Sequence, residues 1–169
     1  KSRELDRLQR QLTTLPALEA EAGLPPPPSW LPRIVATKGV SAYRAASLQL
    51  IDGWAQQGRQ GVRSLEIGCH LGTSTAMIHE AVARNGGFCA GVDVGRSIIQ
   101  RAAALHPGVA FNVCDAWDVR GLQAAMPDGQ VPHLVLLDVG GISSSFGELD
   151  ALALVRLVCS AFGDELEAV

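Results

Sequence analysis

The run Leu65-Glu66-Ile67-Gly68-Cys69-His70-Leu71-Gly72-Thr73-Ser74-Thr75 combines a carboxylate, two glycines four positions apart and three consecutive hydroxyls. Glycine at a sharp turn lets backbone N–H groups come close to a ligand, and a helix starting after the turn points its free N–H groups the same way. Glu66 stands two residues before Gly68, a place that suits an amine or another cation. Downstream, Asp93 in Val92-Asp93-Val94-Gly95, Asp115 in Asp115-Ala116-Trp117 and Asp138 in Val135-Leu136-Leu137-Asp138 each end or closely follow a short apolar run. A carboxylate at the end of a buried strand is unfavourable unless a donor or a ligand satisfies it, so this recurrence points to a bound molecule. An acid in the place of Asp93 accepts hydrogen bonds from a ribose diol. Its alternative role is to cap a helix that starts near Ser97.

Positioning these groups takes alternating strands and helices. The apolar runs predict strands at Val62–Ile67, Phe88–Asp93, Val109–Val113 and His133–Asp138, with Glu165–Val169 as the beginning of a fifth. Helices are expected from Ser41 to Gln57, with Ala45, Leu48, Ile51 and Ala55 on one face, and at Thr73–Arg84, Ser97–Leu105, Trp117–Ala125 and Glu148–Ala161. Asn85-Gly86-Gly87, His106-Pro107-Gly108 and Pro127-Asp128-Gly129 punctuate them. Strands apolar on both faces belong to a parallel sheet covered by helices. The fold class expected is therefore α/β, a doubly wound, Rossmann-like, mostly parallel sheet with helices on both faces and its C-terminal strands incomplete. Ligands bind such sheets outside the carboxyl ends of the strands, where the acids lie. This domain takes up residues 39–169. Residues 1–38 read as an arm: Leu5, Leu8, Leu12 and Leu15 give an amphipathic helix over 2–15, Pro25 to Pro28 a polyproline spacer, and Trp30 an anchor.

The first turn separates the candidate ligands. A dinucleotide site needs G-x-G-x-x-G, its middle glycine admitting the pyrophosphate. His70 fills that middle position. Together with Glu66, this favours S-adenosylmethionine, whose amino-acid end carries an ammonium.

The same stretch, Leu65-Glu66-Ile67-Gly68-x-x-x-Gly72-Thr73-Ser74-Thr75, resembles the first motif of class I S-adenosylmethionine-dependent methyltransferases. It is most similar to the E-x-G-x-x-x-G-x-S variant of catechol- and caffeoyl-CoA-type O-methyltransferases. The resemblance covers about residues 40–160 and implies a cofactor site made of Glu66, Gly68, His70, Gly72, Thr73 and Ser74 with the ribose acid Asp93. It implies that Asp115 meets the adenine amine, with Ala116 and Trp117 flanking the ring. Asp138 matches the acid of the fourth motif, which faces the acceptor as base, metal ligand or anchor. In the metal-dependent branch of that family a basic residue stands next to this acid, and a further Asp and Asn follow the fifth strand. Here Val139-Gly140-Gly141 follow Asp138, so the residues present do not assemble a divalent metal site. The implied function is small-molecule O-methyl transfer. The alternative is a catalytically inactive methyltransferase-like subunit of a larger assembly, docking a protein partner through the 2–15 helix or the incomplete sheet edge. The intact set Glu66, Gly68, Gly72 and Asp93 favours retained cofactor binding. A nicotinamide-dependent oxidoreductase is a third reading, opposed by His70.

Composition bounds these readings. With 169 residues, 47% apolar and 18% charged, the chain supports one domain and a short appendage. A net charge of −3 argues against nucleic acid as the main partner. Cys69, Cys89, Cys114 and Cys159 lack the clustering of a zinc site and read as free thiols of a reducing intracellular compartment, cytoplasm and organelle alike. No apolar run reaches the ~18 residues of a membrane span.

Overall fold

A computed structural model describes residues 32–139 and 147–169. Helix α1 (Val40–Gln56) leads into β1 (Arg63–Ile67), α2 (Thr73–Ala83), β2 (Phe88–Asp93), α3 (Arg96–Leu105) and β3 (Ala110–Val113). Then follow α4 (Val119–Ala124), β4 (Leu134–Leu137) and α5 (Gly147–Phe162). The four strands are parallel, in the order β3-β2-β1-β4. Leu65 in β1 sits opposite Ala90 on one side and Val135 on the other. This is a doubly wound, Rossmann-like sheet. Its winding reverses between β1 and β4, which opens a crevice at the carboxyl end of β1.

The period-two alternation of each strand sorts its side chains into two cores. Leu65, Ile67, Ala90, Val92 and Val135 face α4 and α5, where they meet Leu122, Val158 and Phe162. Cys89, Leu134 and Leu136 face the other way and join Ile51 of α1 and Ile78 and Val82 of α2. Strands that bury both faces carry few polar side chains. The exceptions in β1 are Ser64 and Glu66, at 0% and 1% exposure, both on the α1–α2 side.

Several elements differ from expectation. The inner face of α1 is Tyr43, Ser47, Leu50, Ile51 and Trp54, whereas Ala45 is exposed. The two aromatic side chains set the rotation of this helix, and they bury more surface than the alanines. Helix α4 begins at Val119 because Asp118 caps it, its carboxylate accepting from the Gly121 N–H at 3.0 Å. Trp117 is thereby left in the preceding turn. Helix α3 starts at Arg96, after Gly95, without a side-chain cap. Of the strand expected to begin over Glu165–Val169, Glu165 ends a 3-10 turn (Gly163–Glu165), and the pairing that follows is a pair of parallel bridges from Ala168 to Leu134 and to Arg33. Residues near Arg33, read from sequence as part of the arm, thus lie along the sheet. The helix expected over 2–15, the prolines 25–28, Trp30, Gly140 and Gly141 lie outside the described residues.

Polar contacts fasten this C-terminal segment to the amino ends of the strands. Arg63 Nη2 pairs with Glu165 at 2.8 Å, and Arg59 pairs with Glu167 while its guanidinium stands 5.3 Å from the centre of the Trp54 ring. His133 Nδ1 accepts from the Arg63 N–H at 3.1 Å. Among the described residues, no helix is long and apolar enough to cross a membrane.

Candidate functional site

The turn after β1 is built for close backbone approach. Gly68 has φ +87°, and a Cβ there would stand 2.2 Å from the Asp138 carbonyl oxygen, so no side chain fits. The N–H groups of Gly68 and Cys69 both donate to the Val92 carbonyl, at 2.8 and 3.0 Å, which lashes the turn to β2. His70 follows at φ +48°, a left-handed conformation that is uncommon outside glycine. Its N–H donates to Asp93 Oδ2 at 3.1 Å. Gly72 has φ +76°, and a Cβ on it would stand 2.4 Å from the Phe111 ring. The same ring lies 2.9 Å from the place a Cβ of Gly91 would take.

Beside this turn lies a cavity of about 750 Å³ at the carboxyl ends of the strands, within the usual range for small-molecule sites. Gly68 and His70 wall it from the turn, Asp93 and Val94 from the end of β2, and Asp115, Ala116 and Trp117 from the segment after β3. Asp138 adds the end of β4, and Asp150, Ala151 and Leu154 come from α5. Asp93 Oδ1 also accepts from the Gly95 N–H at 2.9 Å. Two of roughly four lone-pair sites on this carboxylate are therefore engaged, and the rest are open to a ligand. Asp115 Oδ1 accepts from the Trp117 N–H at 2.9 Å, which fixes the acid and orders the turn carrying the indole. Trp117 and Val94 are 49% and 73% exposed, apolar side chains available to flank a flat ring. Among the described residues, the walls carry four aspartates and no lysine or arginine. Their field favours a cation and opposes a pyrophosphate.

Of the residues singled out in the sequence, Gly68, His70, Asp93, Asp115, Ala116, Trp117 and Asp138 meet at this one cavity. Glu66, Gly72, Thr73 and Ser74 are not on its walls. Glu66 occupies the strand face turned to α1 and α2, so its carboxylate points beneath the turn rather than to an incoming amine. There Tyr43 Oη donates to Glu66 Oε1 at 2.8 Å, and the Thr75 hydroxyl donates to Oε2. Burial pushes the Glu66 carboxyl up, against the lowering by these two donors, and the charge of Asp138 adds to the rise. The Tyr43 phenol is raised as well, first by burial and then by the Glu66 charge. Next door, Ser74 Oγ accepts from Arg44 Nε at 3.0 Å. Adjacent residues of α1 thus hold the end of β1 and the start of α2.

Sequence reasoning missed Tyr43 and Asp150. Tyr43 is the only tyrosine of the chain, yet it lies 23 positions before Glu66 and no local spacing joins them. Asp150 reaches the cavity from α5, across a connection with no motif of its own. Burial, with Glu66 and Asp93 nearby, pushes the Cys69 thiol up to about 12. Among the described residues, no group of three or more His, Cys, Asp or Glu side chains is placed to hold a metal ion.

No protein-family model and no curated protein matches this chain. Solved structures do match it. The plantazolicin methyltransferase BpumL, in complex with a pentazolic desmethylPZN analog and SAH, aligns over 71% of this chain and 42% of its own at 14% identity, with a TM-score of 0.51. Its complex with a triazolic analog and SAH gives the same coverage and identity with a TM-score of 0.50. The sugar N-methyltransferase KedS8 from a Streptoalloteichus species aligns over 76% of this chain and 49% of its own at 17% identity, with a TM-score of 0.47. The chain spans half or less of the length of these proteins. The likeness to BpumL establishes the fold, that of class I S-adenosylmethionine-dependent methyltransferases.

Proposed function

We propose that this chain is the cofactor-binding domain of an S-adenosylmethionine-dependent methyltransferase that acts on a small-molecule hydroxyl. The observation that carries the proposal is the cavity at the strand ends, whose described walls hold four aspartates and no lysine or arginine, entered by a glycine turn. Such a rim matches a sulfonium and an ammonium and rejects a dinucleotide. Bound there, S-adenosylmethionine supplies a methyl group on a positively charged sulfur. The residues of the chain divide the remaining work. Asp93 offers its open lone pairs to the ribose hydroxyls. Val94 and Trp117 flank the adenine, and Asp115 meets its amine. Gly68 lets the backbone come up to the methionine end. Glu66 acts from below, keeping β1, α1 and α2 in register under the turn. Asp138 orients the acceptor hydroxyl and takes up its proton, and alignment with exclusion of water contributes most of the acceleration. Four unpaired cysteines suit a reducing compartment.

A noncatalytic subunit is the second reading, favoured by the short pairing of Ala168 at the sheet edge. Isothermal titration of folded protein with S-adenosylmethionine and with NAD separates the possibilities. Heat with the first and none with the second is expected. Absence of heat with S-adenosylmethionine overturns cofactor binding, and heat with NAD alone restores the oxidoreductase reading. Asp93→Ala is expected to weaken S-adenosylmethionine binding roughly 10- to 100-fold, the worth of hydrogen bonds to a charged group.

A further inference from the structure

Glu66 is 1% exposed, and among the described residues no lysine, arginine or histidine forms an ion pair with it. The charge of Arg44 is felt there, yet the Arg44 Nε donates to Ser74 Oγ at 3.0 Å. Two hydroxyls meet the carboxyl oxygens instead, Tyr43 Oη on Oε1 at 2.8 Å and Thr75 on Oε2. Each hydroxyl has one proton to give. Among the described residues neither has another acceptor for it. The arrangement fits a carboxylate, which accepts at both oxygens, and not the acid, which must donate from one.

Tyr43 is held in place for this contact. Its N–H donates to the Gly39 carbonyl at 3.1 Å, and its carbonyl accepts from Ser47 Oγ at 2.8 Å. Its ring packs against the core of Ile51, Ile78, Leu134 and Leu136, beside a second, apolar cavity of about 380 Å³ beyond β4. Packing alone does not call for the phenol, since phenylalanine would fill the same space. The titratable groups around Glu66 are Tyr43 and Arg44 on α1, Cys69 in the turn, Cys89 on β2 and Asp138 at the end of β4. Helix α2 contributes the neutral Thr75. Burial and the Asp138 charge work against an ionised Glu66, and the two hydroxyls and Arg44 work for it.

Ile67 and Gly68, the next two residues of the chain, border the aspartate-lined cavity. A charge beneath them is poorly screened by water and acts on what lies above the turn. We propose that Tyr43 is a positioning residue of the cofactor site: with Thr75 it keeps Glu66 ionised beneath the turn, where that charge draws the cationic methionine end. The inference rests on the reading of the cavity as an S-adenosylmethionine site. A buried charge without a counter-ion is costly by itself, and the ammonium and sulfonium of the ligand supply the opposite sign.

Two measurements test it. Carbon-13 signals of the glutamate carboxyls follow the ionisation with no ligand present, Glu66 being assigned by its absence in Glu66→Gln. The parent chain is expected to hold Glu66 ionised at pH 7, and a neutral carboxyl there overturns the proposal. Tyr43→Phe, with Thr75→Val as a second variant, is expected to leave Glu66 half-protonated at a proton concentration at least about tenfold lower than in the parent, the effect of losing one donor. An unchanged midpoint in a folded variant overturns the proposal. Calorimetric titrations from about pH 8.5 to about pH 5.5 then compare S-adenosylmethionine with methylthioadenosine, a neutral nucleoside without the methionine end. In Tyr43→Phe the affinity for S-adenosylmethionine is expected to fall at least about fivefold as Glu66 takes up its proton, while that for methylthioadenosine holds within about twofold. Equal losses for both ligands, or a loss that ignores pH, would make Tyr43 a packing residue and overturn this proposal alone. A parent chain that gives no heat with S-adenosylmethionine overturns the cofactor reading and this proposal with it.

Discussion

Both oxygens of Asp93 accept backbone N–H groups, from His70 and from Gly95, so this one side chain shapes the turn it shares with the ligand. Asp138 is different, since its backbone N–H belongs to the ladder with β1 while the residue borders the cavity and its charge reaches Glu66 and Tyr43. Asp138→Asn is therefore expected to leave S-adenosylmethionine affinity within about threefold and to lower kcat by roughly 10²–10⁴-fold, the usual worth of a positioned base. Titration of the cofactor beside single-turnover methyl transfer reads the two effects separately. At this scale, the placement of Gly68, Asp93, Asp115 and Asp138 was legible because a strand end is fixed by the apolar run before it. The direction of the Glu66 carboxylate was not. It depends on which strand face meets α1, and that is settled by Tyr43, a partner distant in sequence.

Among the elements, β4 and the C-terminal segment meet at His133. Burial is the main reason its imidazole is lowered to about 4, and the charges of Arg63 and Arg59 push the same way while Glu167 and Glu165 oppose them. The neutral ring accepts the Arg63 N–H at Nδ1, a bond that protonation abolishes. Between the unfolded value of 6.5 and about 4, the unfolded chain holds the extra proton. Stability is thus full above 6.5 and falls as pH drops through this window. Urea midpoints at pH 7 and pH 4.5 measure the loss, and His133→Gln is expected to flatten that part of the profile. The four strands and the five helices from α1 to α5 were legible from periodicity, with ends displaced by a residue or two, whereas the strand expected from Glu165 is reduced to single bridges. The rotation of α1 was not, because small and large apolar residues compete for the inner face and only packing decides. Nor was the pairing of Arg33 with Ala168, since two single bridges so far apart leave no local pattern.

Over the whole molecule, the two cavities adjoin at Val139, Ala151 and Leu154, one rimmed by carboxylates and the other apolar. The aspartate rim acts on net charge, and S-adenosylmethionine carries one positive charge more than its demethylated product. Its affinity advantage over S-adenosylhomocysteine is expected to shrink as salt rises from about 20 mM to about 500 mM, where the screening length falls below ~10 Å. Paired titrations at the two salt concentrations test this, and a ratio that does not move would locate the discrimination in short contacts instead. The fold class was legible in the alternation of strands and helices, and the likeness to BpumL agrees with it. The apolar cavity beyond β4 was not, because a hollow beside a strand exists only once the sheet is assembled.

Phe111 stands against both Gly72 and Gly91, and it belongs to β3, the outermost strand on its side. The shelf under the ligand turn is therefore supplied by the margin of the sheet. Phe111 is not itself on the wall of the cavity. The shape of the turn that borders the cavity thus rests on a side chain that a ligand there would not meet.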